Sequence, residues 1–235
     1  MKIAALADLH YGVSSAGLVR QWLDGVEREV DVLVLPGDLT NTGLPSEMEI
    51  LLRELGPLAL PKVAILGNHD HESGHAEDLV QMLRSEDICV LDGSTCEIEG
   101  VGFAGIKGFC GGFGRLAVDP FGEESLKEFV RASIEDAHRL ERALSQLKSP
   151  RKIVALHYAP VKETLEGEEP ELYPFLGCSR LADAIDHYEV DAAVHGHAHN
   201  GSPFGRTPRQ VPVYNVSRSV LARKGPHKCY RLIEV

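Results

Sequence analysis

The sequence predicts an α/β protein whose sheet is partly antiparallel, and three observations support this. Short, nearly continuous apolar runs are typical of strands buried on both faces. Segments with apolar residues at helical spacing separate these runs, as expected where strands alternate with helices. Short strands joined by Asp92-Gly93 and Glu99-Gly100 have the spacing of hairpins. The buried runs are residues 2–7, 31–35, 62–66, 152–156 and 191–194.

Helical periodicity predicts four helices. The first covers residues 18–30, with Ser14 or Ser15 as its cap, and Pro45 opens a second helix that runs to Leu55. A third helix is expected from residue 75 to about 86. The longest covers residues 123–148, where one apolar stripe follows an acidic start and Pro150 ends the pattern.

The remaining segments predict short strands and two long loops. Residues 89–91, 95–98 and 101–104 read as the short strands, and residues 211–216 and 228–235 as a final pair. Residues 102–114 contain six glycines, and residues 163–174 are acidic with two prolines. Segments of this length and composition are typical of lids or binding loops, although a tight hairpin also explains the glycine-rich one.

Composition narrows the class of protein. A chain of 235 residues with 43% hydrophobic and 25% charged residues can bury its core as a single domain, residues 1–235. The net charge of −11 disfavours nucleic acid and anionic membranes as partners. The five scattered cysteines predict neither a disulfide framework nor a zinc-thiolate site. With no signal-peptide pattern before Asp8 and no apolar run of about 20 residues, a cytoplasmic location is expected.

Five polar fragments follow predicted strands, and together they hold enough nitrogen and oxygen ligands for two metal ions. Residues i and i+2 of a strand point to the same side, so Asp8 is expected to converge with His10, and His197 with His199. Gly37 and Gly67 allow sharp turns that expose Asp38 and Asn68. The fragments are Asp8-Leu9-His10, Gly37-Asp38, Gly67-Asn68-His69-Asp70, His157 and Gly196-His197-Ala198-His199.

The order of these fragments resembles the signature of the calcineurin-like metallophosphoesterases, from Met1 to roughly Val216. The resemblance implies a four-layer α/β/β/α sandwich of two mixed β-sheets flanked by helices, with a dinuclear site at the strand ends. It implies that Asp38 bridges two ions. The other ligands of one ion are Asp8, His10 and His199, and those of the second are Asn68, His157 and His197.

The reaction that the resemblance implies is hydrolysis of a phosphoester. Two divalent ions about 3.5–4 Å apart can share a hydroxide that attacks phosphorus in line. A set without thiolate suits Mn, Fe, Zn, Ni or Co. His69 is expected to act as general acid or transition-state stabiliser, and Asp70 to orient it by hydrogen bonding one ring nitrogen. His71 and His195 lie outside the signature and are expected to be structural or to support the ligands.

Candidates for contact with a small-molecule phosphate ester follow the fragments or lie in the loops. Asn41, Tyr11, Arg115 and Tyr158 are the main ones, and Lys107, Asn200, Arg206 and Arg209 are further ones, although exposed or capping roles fit each of these equally. The glycine-rich loop contains no nucleotide-binding motif.

The sequence leaves the substrate open. Leu156 precedes His157, whereas family members that act on cyclic nucleotides often have a double histidine there. Analogy with small members of the family favours a phosphodiesterase over a phosphomonoesterase. A nuclease and a non-catalytic, metal-stabilised scaffold are the alternatives.

Overall fold

Two mixed β-sheets form the centre of the structure. The computed structural model describes residues 1–223, 225 and 229–235, and these contain eleven strands and seven α-helices. The strands are β1 (Lys2–Ala5), β2 (Val32–Pro36), β3 (Lys62–Ile65), β4 (Ile88–Val90), β5 (Ser94–Ile98), β6 (Val101–Ile106), β7 (Arg151–Leu156), β8 (Ala192–His195), β9 (Phe204–Arg206), β10 (Pro212–Asn215) and β11 (Arg231–Glu234). The helices are α1 (Leu18–Trp22), α2 (Pro45–Leu55), α3 (Ala76–Ser85), α4 (Glu124–Gln146), α5 (Tyr173–Leu176), α6 (Ser179–Asp186) and α7 (Arg218–Ala222).

Each sheet has parallel strands in its middle and an antiparallel strand at an edge. The first has the order β11-β1-β2-β3-β4, with β11 antiparallel to β1. The second has the order β5-β6-β7-β8-β10-β9, with antiparallel pairs at both ends. Helix α3 packs against the first sheet, and α4 packs against the second and against α6. The expected arrangement of two mixed sheets flanked by helices is confirmed.

The main core lies where the two sheets face each other. Ile3, Leu33 and Ile65 of the first sheet and Phe103 and Ile153 of the second are fully buried in one cluster. Burial of each such side chain stabilises the fold by about 1.5–3 kcal/mol. In the described chain no helix is both long and apolar enough to cross a bilayer.

The glycine-rich loop is shorter than predicted because β6 continues to Ile106. Gly105 lies in this strand, and a Cβ atom there would be 3.0 Å from Ile65 Cγ2 of the opposite sheet. This glycine therefore permits close packing of the sheets, which the sequence pattern does not distinguish from a turn. The hairpin predicted at Glu99-Gly100 is confirmed, whereas Asp92-Gly93 connects strands of different sheets.

The predicted helix over residues 18–30 is wrong in its second half. Helix α1 ends at Trp22, Gly25 adopts φ 73°, and a 3₁₀ turn follows at Val26–Arg28. Gly17 occupies the N-cap position instead of Ser14 or Ser15.

Helices α2, α3 and α4 lie where they were predicted, within two residues at each end. The sequence analysis missed α5, α6, α7 and β9, and the predicted loop at residues 163–174 contains two 3₁₀ turns and the start of α5. The predicted last strand begins at Lys228, which lies outside the described residues.

Candidate metal centre

The five polar fragments meet at one rim of the sandwich, just beyond the carboxyl ends of five parallel strands. Strands β1, β2 and β3 lead to Asp8, Asp38 and Asn68, and β7 and β8 lead to His157 and His197. Carboxyl ends of parallel strands are the usual place for sites in α/β folds. Both sheets therefore contribute side chains to the same rim.

Several of these residues have a strained backbone. Asp8, His10, Asp38 and His197 have φ values of 58°, 44°, 49° and 67°. When a residue with a Cβ atom adopts this left-handed conformation, the free energy of the folded chain rises by about 1–3 kcal/mol. Asp8 and His10 converge on one group of candidate ligands as predicted, but not by strand alternation, because β1 ends at Ala5. The prediction that His197 and His199 point together is wrong, because β8 ends at His195 and the two rings belong to different groups.

Two glycines make room for the side chains at the rim. Gly37 has φ 86°, and a Cβ atom there would lie 2.5 Å from Nδ1 of His157. A Cβ atom on Gly67 would lie 2.1 Å from Oδ1 of Asp38. These close approaches agree with the prediction that the glycines let the polar side chains of Asp38 and Asn68 emerge at turns.

The first group of candidate ligands contains Asp8, His10, Asp38 and His199, whose ligand atoms lie within 4.8 Å of one another. The Nε2 atoms of His10 and His199 are 3.3 Å apart. Two nitrogens bound at about 2.05 Å to one tetrahedral ion are separated by about 3.3 Å, so this spacing fits a shared ion. Both carboxylate oxygens of Asp8 accept the backbone N–H of His197 at 3.0 Å, which holds the carboxylate in place.

The second group contains Asp38, His157 and His197, again within 4.8 Å. Asn68 joins it, because its Oδ1 lies 2.8 Å from Nε2 of His157. Nδ1 of His157 donates to the carbonyl of Pro36 at 3.1 Å, which leaves Nε2 for a ligand. Nε2 of His197 faces the carbonyl of Phe175 at 3.4 Å, so Nδ1 is the nitrogen left to face an ion. The structure thus brings the seven predicted ligands together in two groups, with Asp38 common to both, and their binding of metal ions stays a prediction.

Histidines keep the two buried carboxylates at the rim ionised. Burial favours the neutral form of Asp8, yet the hydrogen bond from His199 and the charge of His157 hold its pKa well below the ordinary value. Burial acts on Asp38 in the same way, and His157 holds that pKa low as well. Burial would lower the pKa of His157, but the charge of Asp38 raises it to about 9. Burial lowers the pKa of His197 to about 3, so this ring is a neutral nitrogen donor.

One atom of the shared carboxylate has no hydrogen-bond partner in the described chain. Asp38 is 1% exposed, and its Oδ1 accepts the backbone N–H of His69 at 2.9 Å. Its Oδ2 is buried without a hydrogen-bond partner, and Nε2 of His10 lies 3.8 Å from it. An unpaired buried carboxylate oxygen is costly unless a cation balances it. The oxygen and nitrogen donors present therefore fit divalent metal ions, and none of them is a thiolate.

The predicted hydrogen bond between Asp70 and His69 is absent, and this part of the prediction is wrong. Asp70 is fully buried and accepts four hydrogen bonds, from the N–H groups of Leu39, Thr40 and Gly67 and from the Thr40 hydroxyl, at 2.6–3.1 Å. Burial raises its pKa, against the effect of these donors. Asp70 thus ties the turn after β2 to the turn after β3.

His69 is oriented by a backbone carbonyl. Its Nδ1 lies 2.7 Å from the carbonyl oxygen of Asn41. Because a carbonyl only accepts, Nδ1 carries the hydrogen and Nε2 is free to take up or release a proton. The ring contacts His10 edge to face at 4.5 Å, and 37% of the side chain is exposed. His69 is therefore beside the first ligand group and open to a substrate.

The main substrate-contact candidates have different positions. Tyr11 is fully buried in the core, with its hydroxyl at 3.4 Å from the N–H of Val19, so its prediction as a substrate contact is wrong. Tyr158 is 6% exposed and packs on the His197 ring at 4.4 Å, which makes it a support for that ring. Asn41 is exposed beside His69, and Arg115 is exposed in a 3₁₀ turn.

Most of the further candidates have partners within the chain. Asn200 pairs with Glu168, the Arg206 guanidinium contacts Phe204 and Gln210, and the Arg209 N–H donates to Asp186. His195 is buried and bonded to Gly196 and Thr164, as a structural residue. His71 is exposed near Lys107, in a cleft that is described below.

Sequence reasoning missed the groups that orient the site through the backbone. These are the carbonyls of Pro36, Asn41 and Phe175, together with Thr40, whose hydroxyl and N–H both donate to Asp70. Carbonyl groups occur in every residue, so no sequence signal marks them. Thr40 stands two residues after Asp38, but that spacing alone indicates no contact with Asp70.

Part of the chain is similar to a curated protein. A glycerophosphodiester phosphodiesterase, GpdQ from Enterobacter lignolyticus (strain SCF1), is 35% identical over 78 residues, which are 33% of this chain and 27% of that protein. The chain therefore matches only about a quarter of the length of that relative.

Solved structures share the fold. Phosphopantetheinyl hydrolase (PptH) from Mycobacterium tuberculosis gives a TM-score of 0.66 at 16% identity, covering 99% of this chain and 95% of that one. Sulfate thiohydrolase SoxB from Thermus thermophilus gives 0.53 at 13% identity, covering 94% and 52%. The family model for calcineurin-like phosphoesterases matches residues 1–201, which include all five fragments. The chain belongs to the calcineurin-like phosphoesterase family.

Proposed function

We propose that this chain is a dinuclear metal-dependent phosphoesterase and that phosphodiesters are its preferred substrates. The observation that carries the proposal is the buried Asp38 carboxylate, which belongs to both ligand groups and has an unpaired oxygen. The ligands would be Asp8, His10 and His199 on one side and Asn68, His157 and His197 on the other. Two divalent ions held there would supply Lewis acidity toward the phosphoryl oxygens and an activated water.

The residues of the chain prepare the site for in-line displacement at phosphorus. The carbonyls of Pro36 and Phe175 fix the rings of His157 and His197, so each presents one defined nitrogen. The Asn41 carbonyl fixes His69 with Nε2 free, so a proton taken up there can pass to the leaving oxygen. Asp70 keeps the turns that carry Asp38 and His69 at a fixed separation.

The preference for diesters comes from similarity to one relative. The partial match to a glycerophosphodiester phosphodiesterase supports it. The net charge of −11 argues against nucleic acid as the diester. Manganese, iron, zinc, nickel and cobalt all suit the donor set.

A substrate panel tests the proposal. The chain is stripped of metal, reconstituted separately with each of these ions, and assayed with bis(4-nitrophenyl) phosphate and 4-nitrophenyl phosphate. We expect hydrolysis of both with at least one ion, and a higher kcat/KM for the diester. Absence of turnover with every ion, despite two bound equivalents, would contradict the proposal.

The Asp38→Asn variant is the matched test of the ligand set. Loss of the shared carboxylate is expected to remove both metal equivalents and the activity together, as measured by elemental analysis and the diester assay. Asp24→Asn makes the same chemical change at an exposed residue, and it should retain metal and activity. Retention of two equivalents by Asp38→Asn would refute the bridging role.

A further inference from the structure

A cleft of about 620 Å³ lies between α3 and α4, beside the candidate metal centre. We call it the α3–α4 cleft. Its apolar walls include Leu66, Val80 and Phe109, and its polar lining includes His71 and Lys107. The volume is within the range of about 300–1,000 Å³ found for organic ligands, and it exceeds what a phosphoryl group alone needs.

The cleft adjoins the turn that carries His69. His71 lines the cleft and belongs to the same 3₁₀ turn as His69, residues His69–His71. Leu66 lines it as well and directly precedes Gly67 at the rim. A general acid faces the leaving oxygen, so a group that extends from this oxygen past His69 would lie on the side of the site where His71 and the cleft are.

Lys107 supplies an unused donor at the inner end of the cleft. Its Nζ donates to the carbonyl of Gly108 at 2.9 Å and lies 5.0 Å from the ring centres of Phe109 and Tyr158. Within the described residues it forms no ion pair with a carboxylate. An ammonium group has three donors, so two remain for an oxygen acceptor on a ligand.

Two arginines also line the cleft: Arg84 is exposed and forms no ion pair with a carboxylate among the described residues, whereas Arg139 is paired. Nη2 of Arg139 is 2.7 Å from the Asp92 carboxylate, and Nη1 is 3.5 Å from Asp136. The cleft thus offers apolar walls, two cations without an ion pair in the described chain, Lys107 and Arg84, and the carboxylates of Glu77, Asp92, Glu135 and Asp136. This combination favours a large, partly apolar group with an oxygen acceptor over a small, fully hydrated alcohol.

We infer that the α3–α4 cleft binds the leaving alcohol of the phosphoester, and that this alcohol has a bulky apolar body with an oxygen acceptor for Lys107. The inference rests on the proposed function and names the substrate class for the same site. The phosphoryl group lies at the metal ligands, and the alcohol extends past His69 into the cleft.

The test compares two leaving groups and two tryptophan substitutions on the same helix. Ala132 is exposed on the α4 wall of the cleft, so Ala132→Trp fills the cleft without entering the core. Ser145→Trp places the same side chain on an exposed part of α4, and Ser145 is not among the residues that line the cleft. The substrates are 4-methylumbelliferyl phosphate, whose coumarin has a carbonyl acceptor, and phenyl phosphate.

We expect Ala132→Trp to raise the KM for the coumarin ester about tenfold more than the KM for the phenyl ester. Binding of the free alcohol 4-methylumbelliferone, followed by fluorescence, should weaken about tenfold in the same variant and in Lys107→Met. Ser145→Trp should change neither quantity. If Ala132→Trp does not fold, Gln81→Trp blocks the opposite wall on α3.

The two readouts separate failure of the inference from failure of the proposed function. Equal effects of Ala132→Trp on both esters, with binding of 4-methylumbelliferone unchanged, would overturn the cleft inference while hydrolysis persists. Absence of hydrolysis in the wild type with every ion would overturn the proposed function. Weakened binding of 4-methylumbelliferone in Ala132→Trp would still support the cleft in that case.

Discussion

Replacement of Asp70 by Asn tests whether this carboxylate joins two turns or orients His69. Its Oδ2 accepts the N–H groups of Leu39 and Gly67, and its Oδ1 accepts the N–H and the hydroxyl of Thr40. An amide nitrogen at either position is a donor. At the Oδ2 position it deprives two backbone N–H groups of an acceptor.

The less costly orientation places the amide nitrogen at the Oδ1 position. The Thr40 hydroxyl can then rotate to accept, but the Thr40 N–H has no acceptor. A buried donor left unpaired costs about 1–3 kcal/mol, so we expect Asp70→Asn to lose about 2 kcal/mol of unfolding free energy. His69 retains its own acceptor, the Asn41 carbonyl, so the direct effect is on stability.

The assay is urea unfolding followed by circular dichroism, with Asp24→Asn as the control. Asp24 is exposed, and the same substitution there should change the free energy of unfolding by less than about 0.5 kcal/mol. A stable Asp70→Asn variant with a greatly reduced kcat would refute the reasoning. That result would restore Asp70 as the residue that orients His69.

Three further outcomes follow from the site. His69→Ala should keep both metal equivalents and reduce kcat by about 10²–10⁴, and metal loss equal to that of Asp38→Asn would exclude its role as the acid. Gly67→Ala should abolish metal binding, because its Cβ atom would lie 2.1 Å from Oδ1 of Asp38. In the control variant Gly12→Ala the new Cβ atom meets no atom closer than 3.6 Å, so metal binding should be retained. Equal metal content in the two variants would contradict the packing argument. Chelation should lower the melting temperature, since ions that bind only the folded state stabilise it, and an unchanged temperature would argue against bound metal.

The polar site could be predicted from the sequence because its residue types are distinctive and their order is fixed. Asp38 and His157 are recognisable only as members of the ordered set of five fragments, and the strands before them are clear apolar runs. Those strands bring the fragments together because their carboxyl ends meet at one rim. The fold class follows from the same alternation of strands and helices.

The remaining features depend on contacts between distant residues. Tyr11 follows a ligand fragment in sequence, yet its ring is fully buried in the core. Gly105 falls within the predicted loop, although it lies in β6 and faces Ile65 of the opposite sheet. Asp70 has the residue type of an orienting carboxylate, but it accepts three hydrogen bonds from Leu39 and Thr40, in the turn after β2, and one from Gly67. Local sequence contains no information about such long-range neighbours.

The hydrogen bond between Asp8 and the His197 N–H joins residues 189 positions apart in the chain. Contacts of such sequence separation form late in folding, because they require closure of a long loop. A folding intermediate with only strands β1–β4 of the first sheet formed would contain Asp8, Asp38 and Asn68, but not the three histidines that follow β7 and β8. We therefore expect a newly made chain to acquire its ions only after residues 151–199 have folded, so metal content would report completed folding.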